Sequence, residues 1–410
     1  MTEGNLLRQI LEYGNRPNPY PLYAELRKTP VLNEGDGAYV VSTYWEILSL
    51  LHDPRVSSDP HNLAVPGGPG FDPEDGSALP PSFIRLDPPE HDRLRRMTNT
   101  SFGPPHKPRR VHEMRAELGD IVSGLIEGIG NTDRIDLVEQ FSYPFPVTVI
   151  CRLLGVPRED ESRFHTWADT LAASLDPMPG EDPTERNKIA QKARTELGMY
   201  LAGLIEERRK NPRDDMLSEL ATLKGPDGSM STMELLSTSA LLLIAGHETT
   251  VNLITNGMLT LLRNPDVLQR LREDPKLAVP IVEELLRFEP PVQLVPNRTT
   301  LTDIEIGGVT IPKGASLWLV VAAGNRDPQR FADPERFDPD REDIEHLGFG
   351  SGIHSCFGAP LARLEAQLAL SELARRLVNP RLLEDPPEYR QNAVLRGPRH
   401  LPIACDDIRP

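Results

Sequence analysis

Residues Phe349-Gly350-Ser351-Gly352-Ile353-His354-Ser355-Cys356-Phe357-Gly358 decide how this chain is read. Three glycines within ten residues let the backbone come close to something bulky. Cys356 stands just ahead of a helix predicted over 359–378. Pro360 suits a first-turn position, and Leu361, Leu364, Leu368 and Leu373 follow at helical spacing. A thiolate there is stabilised by the N–H groups that a helix start leaves unpaired. A buried cysteine in a glycine-rich turn is the plain alternative. A thiol hydrolase with His354 as base is another, but His354 is only two residues away and no oxyanion loop accompanies it. A zinc site lacks further ligands.

The second informative stretch lies upstream. Ser231-Thr232-Met233-Glu234 forms a capping box, and Pro265 stops the helix that it opens. The spacing predicts one helix over 231–264, roughly 50 Å long at ~1.5 Å per residue. Its middle, Ala240 to Ala245, is apolar on every face and is expected to be buried. Gly246-His247-Glu248-Thr249-Thr250 then breaks the pattern. Gly246 costs about 1 kcal/mol relative to alanine, a buried Glu248 needs a partner, and Thr249 can bond back to the Ala245 carbonyl. These residues suit either a hydrated polar gap or a bulge that admits a small molecule beside a proton-relaying carboxylate and hydroxyl.

Elsewhere 110–130, 184–210 and 276–288 read as helices, and 38–42 and 301–322 as strands, with Gly307-Gly308 marking a hairpin. The class is mainly α with a small β region. The 41 prolines are dispersed and punctuate loops rather than forming a tract. Two loop-rich stretches, 64–81 and 176–183, are expected as surface loops or lids over a pocket. A net charge of −16 argues against a nucleic-acid binder. Three widely spaced cysteines give no disulfide framework. The N-terminus lacks a signal-peptide pattern, and no apolar run reaches the ~18 residues of a membrane span. A cytoplasmic protein without a membrane anchor is expected.

Taken together, these segments resemble the cytochrome P-450 haem-thiolate monooxygenases, of the soluble bacterial type. The cysteine loop 349–358 matches that family's loop. Ala245-Gly246-His247-Glu248-Thr249-Thr250 matches its oxygen-activating helix segment, and Glu284-Leu285-Leu286-Arg287 its E-x-x-R pair. Asp333-Pro334-Glu335-Arg336-Phe337 matches its arginine-bearing loop, and His91-Asp92-Arg93-Leu94-Arg95 its propionate-binding helix. The motifs occur in the family's order between residues 85 and 365. Phe357 and Gly324 depart from the commoner leucine and alanine, without touching the chemistry.

The resemblance implies a single 1–410 domain of the cytochrome P-450 fold, with haem b between the 231–264 helix and the cysteine-loop helix. It implies Cys356 as the iron's axial ligand. His91, Arg95, Arg298 and His354 hold the propionates, with Phe349, Gly350, Gly358 and Ala245 against the haem. Glu248 and Thr249 are the catalytic pair, and their presence argues against the family's peroxide-driven variants. Glu284, Arg287 and Arg336 form a structural charge cluster behind the loop. Leu242, Gly246, Val292, Leu294 and Val394 fall near the substrate, and their apolar character implies a hydrophobic small molecule such as a terpenoid, steroid or polyketide. The reaction implied is insertion of one atom of O₂ by hydroxylation or epoxidation. Electrons come from NAD(P)H through a ferredoxin and its reductase, and the enzyme is expected to be a monomer. A basic cluster of Arg93, Arg96, Lys107, Arg109 and Arg110 is a candidate ferredoxin-docking face. A catalytically silent haem-binding or partner-recruiting relative is the alternative, against which the intact Cys356, Glu248 and Thr249 speak.

Overall fold

The computed structural model describes residues 6–62, 81–102, 110–130, 132–175 and 183–409. The central helix runs Thr232–Arg263 and is capped as its sequence dictates: the Ser231 side chain accepts from the Glu234 N–H, and the Glu234 carboxylate accepts from the Ser231 N–H. Around it pack the helices Pro144–Leu154, Pro183–Lys210, Ala278–Phe288 and Ala359–Arg376. Their apolar stripes join the central helix in the largest of the hydrophobic clusters. Gly257 marks one close crossing: a Cβ there would come within 3.0 Å of both Leu285 and Leu370. The segment 240–245 is walled on one side only, since Ile244 is 38% exposed and Ala245 faces a cavity.

The β portion is small. A five-stranded sheet has the order Val31–Gly35, Ala38–Val41, Ser316–Leu319, Val295–Thr300, Val56–Ser57. Only the Ala38–Val41 and Ser316–Leu319 pair is parallel. The ladder between Val295–Thr300 and Ser316–Leu319 shifts register between Val295 and Arg298, where Pro296 has no N–H to offer. Gly307 and Gly308, at φ 56° and 76°, turn the hairpin Ile304–Ile306/Val309–Ile311.

Two boundaries differ from the sequence reading. The 301–322 stretch ends as strand at Leu319, and Val321–Gly324 is a short helix. There the Ala322 N–H leaves the ladder for the Gln293 carbonyl. The 110–130 helix is two pieces, Arg110–Glu113 and Arg115–Ile129. The loops 64–81 and 176–183 lie, apart from Pro81 and Pro183, outside the described residues. No helix among the described residues is long and apolar enough to cross a membrane.

Candidate functional site

The cysteine loop is held by close backbone contacts. Gly350 and Gly352 adopt φ of +64° and +67°, and a Cβ on Gly352 would collide with the Leu51 carbonyl. The Cys356 N–H donates to the Phe349 carbonyl at 2.8 Å, closing the loop ahead of the Ala359–Arg376 helix. The Cys356 sulfur faces a cavity of about 410 Å³. Burial raises the thiol pKa, against the opposing pull of the Gly358 and Ala359 N–H groups and of Arg95 and Arg363. Phe349, Gly350 and Gly358 line the same cavity, and the Arg363 guanidinium sits 4.6 Å from the Phe349 ring centre.

Four cationic or imidazole groups gather beside the loop, from three distant parts of the chain. His91 and Arg95 lie on the Glu90–Phe102 helix, Arg298 on the bulged strand, and His354 in the loop itself. The His91 and His354 rings are 4.4 Å apart. Each ring has one nitrogen already oriented: His91 Nδ1 by Asp92 at 2.8 Å, His354 Nε2 by Ser58 Oγ at 2.8 Å. The second nitrogens, His91 Nε2 and His354 Nδ1, are buried with no hydrogen-bond partner. Burial beside Arg298, His91 and Arg95 depresses His354 to about 3. Burial also lowers Arg298 to about 10, partly offset by Asp87. Arg95 donates to the Ser355 carbonyl at 2.7 Å. Buried cations and orphaned imidazole nitrogens beside a cavity-lining cysteine fit a haem whose two propionates and iron they would hold.

The opposite wall is the central helix. Thr249 Oγ1 donates to the Ala245 carbonyl at 2.6 Å, and Ala245, Gly246, Thr249 and Thr250 line the cavity. Gly246 leaves room for Ile150, whose Cδ1 lies 3.0 Å from where a Cβ would stand. Glu248 is buried but does not line the cavity. Its Oε1 lies 3.6 Å from Arg390 Nη1. Leu242, Val292, Leu294 and Val394 line the cavity. Sequence reasoning missed Arg390, and also Glu365, a fully buried carboxyl on the cavity wall whose pKa burial pushes well above the ordinary range. Glu365 was findable: it follows Leu361 by one helical turn, on the apolar stripe of the cysteine helix.

Behind the loop, Glu284 and Arg287 meet in a two-point pair, each contact 2.7 Å, with both side chains fully buried. Arg336 does not join them. Its side chain is 67% exposed and pairs with Asp338, and it contributes only its carbonyl, to Arg287 at 3.0 Å. The additional guanidinium on Glu284 is Arg341, at 3.2 Å. Both arginines stand in the same loop, and Asp338, two residues on, draws Arg336 outward.

The basic cluster also changes character. Arg93 pairs with Glu90 and Glu234, Arg96 with Asp227, and Arg110 with Glu219. Lys107 and Arg109 lie outside the described residues. The described arginines therefore tie their helices to acidic partners rather than presenting an uncompensated positive face.

Comparison with known proteins agrees with this geometry. The family model described as Cytochrome P450 matches residues 71–400. Cytochrome P450 monooxygenase PikC of Streptomyces venezuelae is 40% identical, over 94% of this chain and 91% of its own length. The 6-deoxyerythronolide B hydroxylase of Saccharopolyspora erythraea is 37% identical, over 94% of this chain and 96% of its own. The structure of the bacillaene polyketide synthase cytochrome P450 PksS of Bacillus subtilis superposes with a TM-score of 0.86 at 30% identity, covering 97% of this chain and 99% of that one. With the thiol, the cationic clamp and the threonine-bearing helix arranged around one cavity, this chain belongs to the cytochrome P450 family: it is a haem-dependent monooxygenase, and its cofactor is haem b.

Proposed function

We propose that the enzyme oxidises a hydrophobic small molecule, of polyketide, steroid or terpenoid type, with electrons from NAD(P)H delivered through a ferredoxin and its reductase. The observation that carries the substrate class is the cavity wall opposite Cys356. Leu241, Leu242, Leu253, Val292, Leu294 and Val394 give it an apolar surface, broken by the Thr249 hydroxyl. Such a wall favours burial of apolar area at about 25 cal/mol per Å² and leaves few groups to solvate a charge. Two of the relatives are named for 6-deoxyerythronolide B and for a polyketide synthase, which supports the polyketide arm. A cytoplasmic location accords with three cysteines that are all free.

In this reading Cys356 would hold the haem iron through its thiolate, and His91, Arg95, Arg298 and His354 would neutralise and hydrogen-bond the propionates. Bound there, haem supplies O₂ activation, to which the thiolate contributes electron density. The chain's own part is the supply of protons. Thr249 commits its hydroxyl hydrogen to the Ala245 carbonyl, so its lone pairs are left to accept a hydrogen bond from a water in the cavity. Glu248, on the same helix, is the ionisable group that resupplies that water.

A binding screen that follows the haem absorption band tests the substrate class. Macrolactones, steroids and terpenoids are expected to shift the band, and small charged compounds to leave it unmoved. A band that responds only to charged compounds contradicts the proposal.

A further inference from the structure

We propose that Arg390 is a positioning residue for the oxidation, holding the carboxylate of Glu248 in place from outside the cavity. The inference rests on the reading of Glu248 as the ionisable group of the central helix. Glu248 is 5% exposed and Arg390 8%, and their charged atoms are 3.6 Å apart. At that depth water screens the attraction poorly, so each charge is stabilised by the other more than an exposed pair would be.

Arg390 is fixed by the way its segment lies on the central helix. Glu248, Asn252 and Asn256 stand one turn apart and share a face. Arg390 meets the first. Gly397 abuts the second so closely that a Cβ would collide with the Asn252 amide. The Arg396 carbonyl accepts from Asn256 Nδ2 at 3.0 Å. The segment also closes on itself, the Arg390 N–H donating to the Gly397 carbonyl at 3.1 Å. Its far side is pinned to the cavity wall: the Gln293 N–H donates to the Val394 carbonyl and the Arg396 N–H to the Pro291 carbonyl, both at 2.8 Å. The guanidinium is thus placed by backbone contacts on both sides.

Among the described residues, neutral titratable groups stand near Glu248. His247, on the same helix, is pushed down to about 3 by burial and is neutral. Its Nε2 lies 3.2 Å from the Tyr143 carbonyl. The Tyr143 ring lies 4.4 Å from the His247 ring and 6.0 Å from the Arg390 guanidinium, and burial raises its phenol pKa, so it too is neutral. Behind Tyr143, Asp169 and His165 belong to the Glu161–Leu175 helix. Asp169 hydrogen-bonds the Tyr143 side chain, and burial lowers His165. Among the described residues of this group Arg390 carries the permanent positive charge. Without it, the Glu248 carboxylate loses an orienting contact and a neighbouring charge that favours its ionised form.

The test uses haem-loaded enzyme under O₂, reduced from NAD(P)H through a surrogate ferredoxin and its reductase, with a compound that shifts the haem band as substrate and product formed as the rate, so that protons must come from the protein. In Arg390→Gln the rate should fall about 10-fold, as loss of an orienting partner typically costs, and its acidic limb should move to higher pH. Arg390→Lys, which keeps the charge, should keep the pH profile and most of the rate. Thermal unfolding gives an independent reading. The Tm losses of Arg390→Gln and Glu248→Gln should be non-additive in the double variant. A haem-loaded Arg390→Gln with the parent rate and profile, or additive Tm losses, overturns the inference while leaving a slow Glu248→Gln to stand by itself. A Glu248→Gln enzyme with unchanged rate and profile overturns both readings together.

Discussion

The Nε of Arg341 lies 3.2 Å from Oε1 of Glu284, inside a cluster where the side chains of Glu284 and Arg287 are fully buried. Arg341 also donates to the carbonyls of Ala332 and Asp333, so it ties the loop to the pair. Removing one partner of a buried pair costs on the order of 3–5 kcal/mol, whereas exposed substitutions usually stay within about 0.5 kcal/mol. Arg341→Ala should therefore lower folding stability and haem content sharply, and Arg336→Ala should change little. Chemical denaturation of both variants checks this, and equal losses would return Arg336 to the cluster.

In the proposed mechanism Thr249 acts through its hydroxyl, not its volume. With a substrate bound, Thr249→Ala should keep haem and NAD(P)H consumption but divert electron flow from product to hydrogen peroxide, and Thr249→Ser should restore most product. If Thr249 only bends the helix through the Ala245 carbonyl, alanine changes substrate affinity and leaves the ratio of product to peroxide alone. Peroxide released per NAD(P)H consumed separates the two.

The propionate clamp makes its own prediction. His91 Nε2 and His354 Nδ1 are buried without partners, and Arg95 is half-buried. The double variant His91→Ala, Arg95→Ala should bind haem at least about 10-fold more weakly, the equivalent of 1.4 kcal/mol, since a buried carboxylate loses its cation. Haem titration of the apoprotein measures it. Unchanged affinity would mean that the propionates lie elsewhere.

His247 gives the folded protein a specific acid sensitivity. It is 2% exposed, and burial lowers its pKa from 6.5 to about 3. Below pH 6.5 the unfolded chain binds a proton that the folded chain refuses. Stability is therefore lost as pH falls from about 6.5 towards 3, with a limiting slope of about 1.4 kcal/mol per pH unit from this group. His247→Gln, which can still donate to the Tyr143 carbonyl, should show a shallower decline between pH 6.5 and 5 than the parent. Parallel curves would assign the acid sensitivity to other groups.

What the sequence disclosed was local. The capping box, the Gly307-Gly308 turn, the cysteine loop and the two halves of the clamp each sit within a few residues, where spacing alone sets the geometry. Pairing across the chain left no such trace. Arg93 reads as part of a basic run until it meets Glu234, 141 positions away. Arg390 carries no motif, and only the folding of its segment onto Asn252 and Asn256 brings it to Glu248. Arg336 and Arg341 are alike in sequence because their loop has no periodicity, and Asp338 and Glu284 sort them in space.

The central claim is that Cys356 is the iron's thiolate ligand, and the absorption spectrum of the reduced, carbon monoxide-treated protein tests it most directly. The parent enzyme should show the red-shifted Soret band of thiolate ligation. Cys151→Ser and Cys405→Ser, altering cysteines buried away from the cavity, should keep it, and Cys356→Ser should lose it. A Cys356→Ser protein that retains the band, or a haem-reconstituted parent that lacks it, would contradict the account.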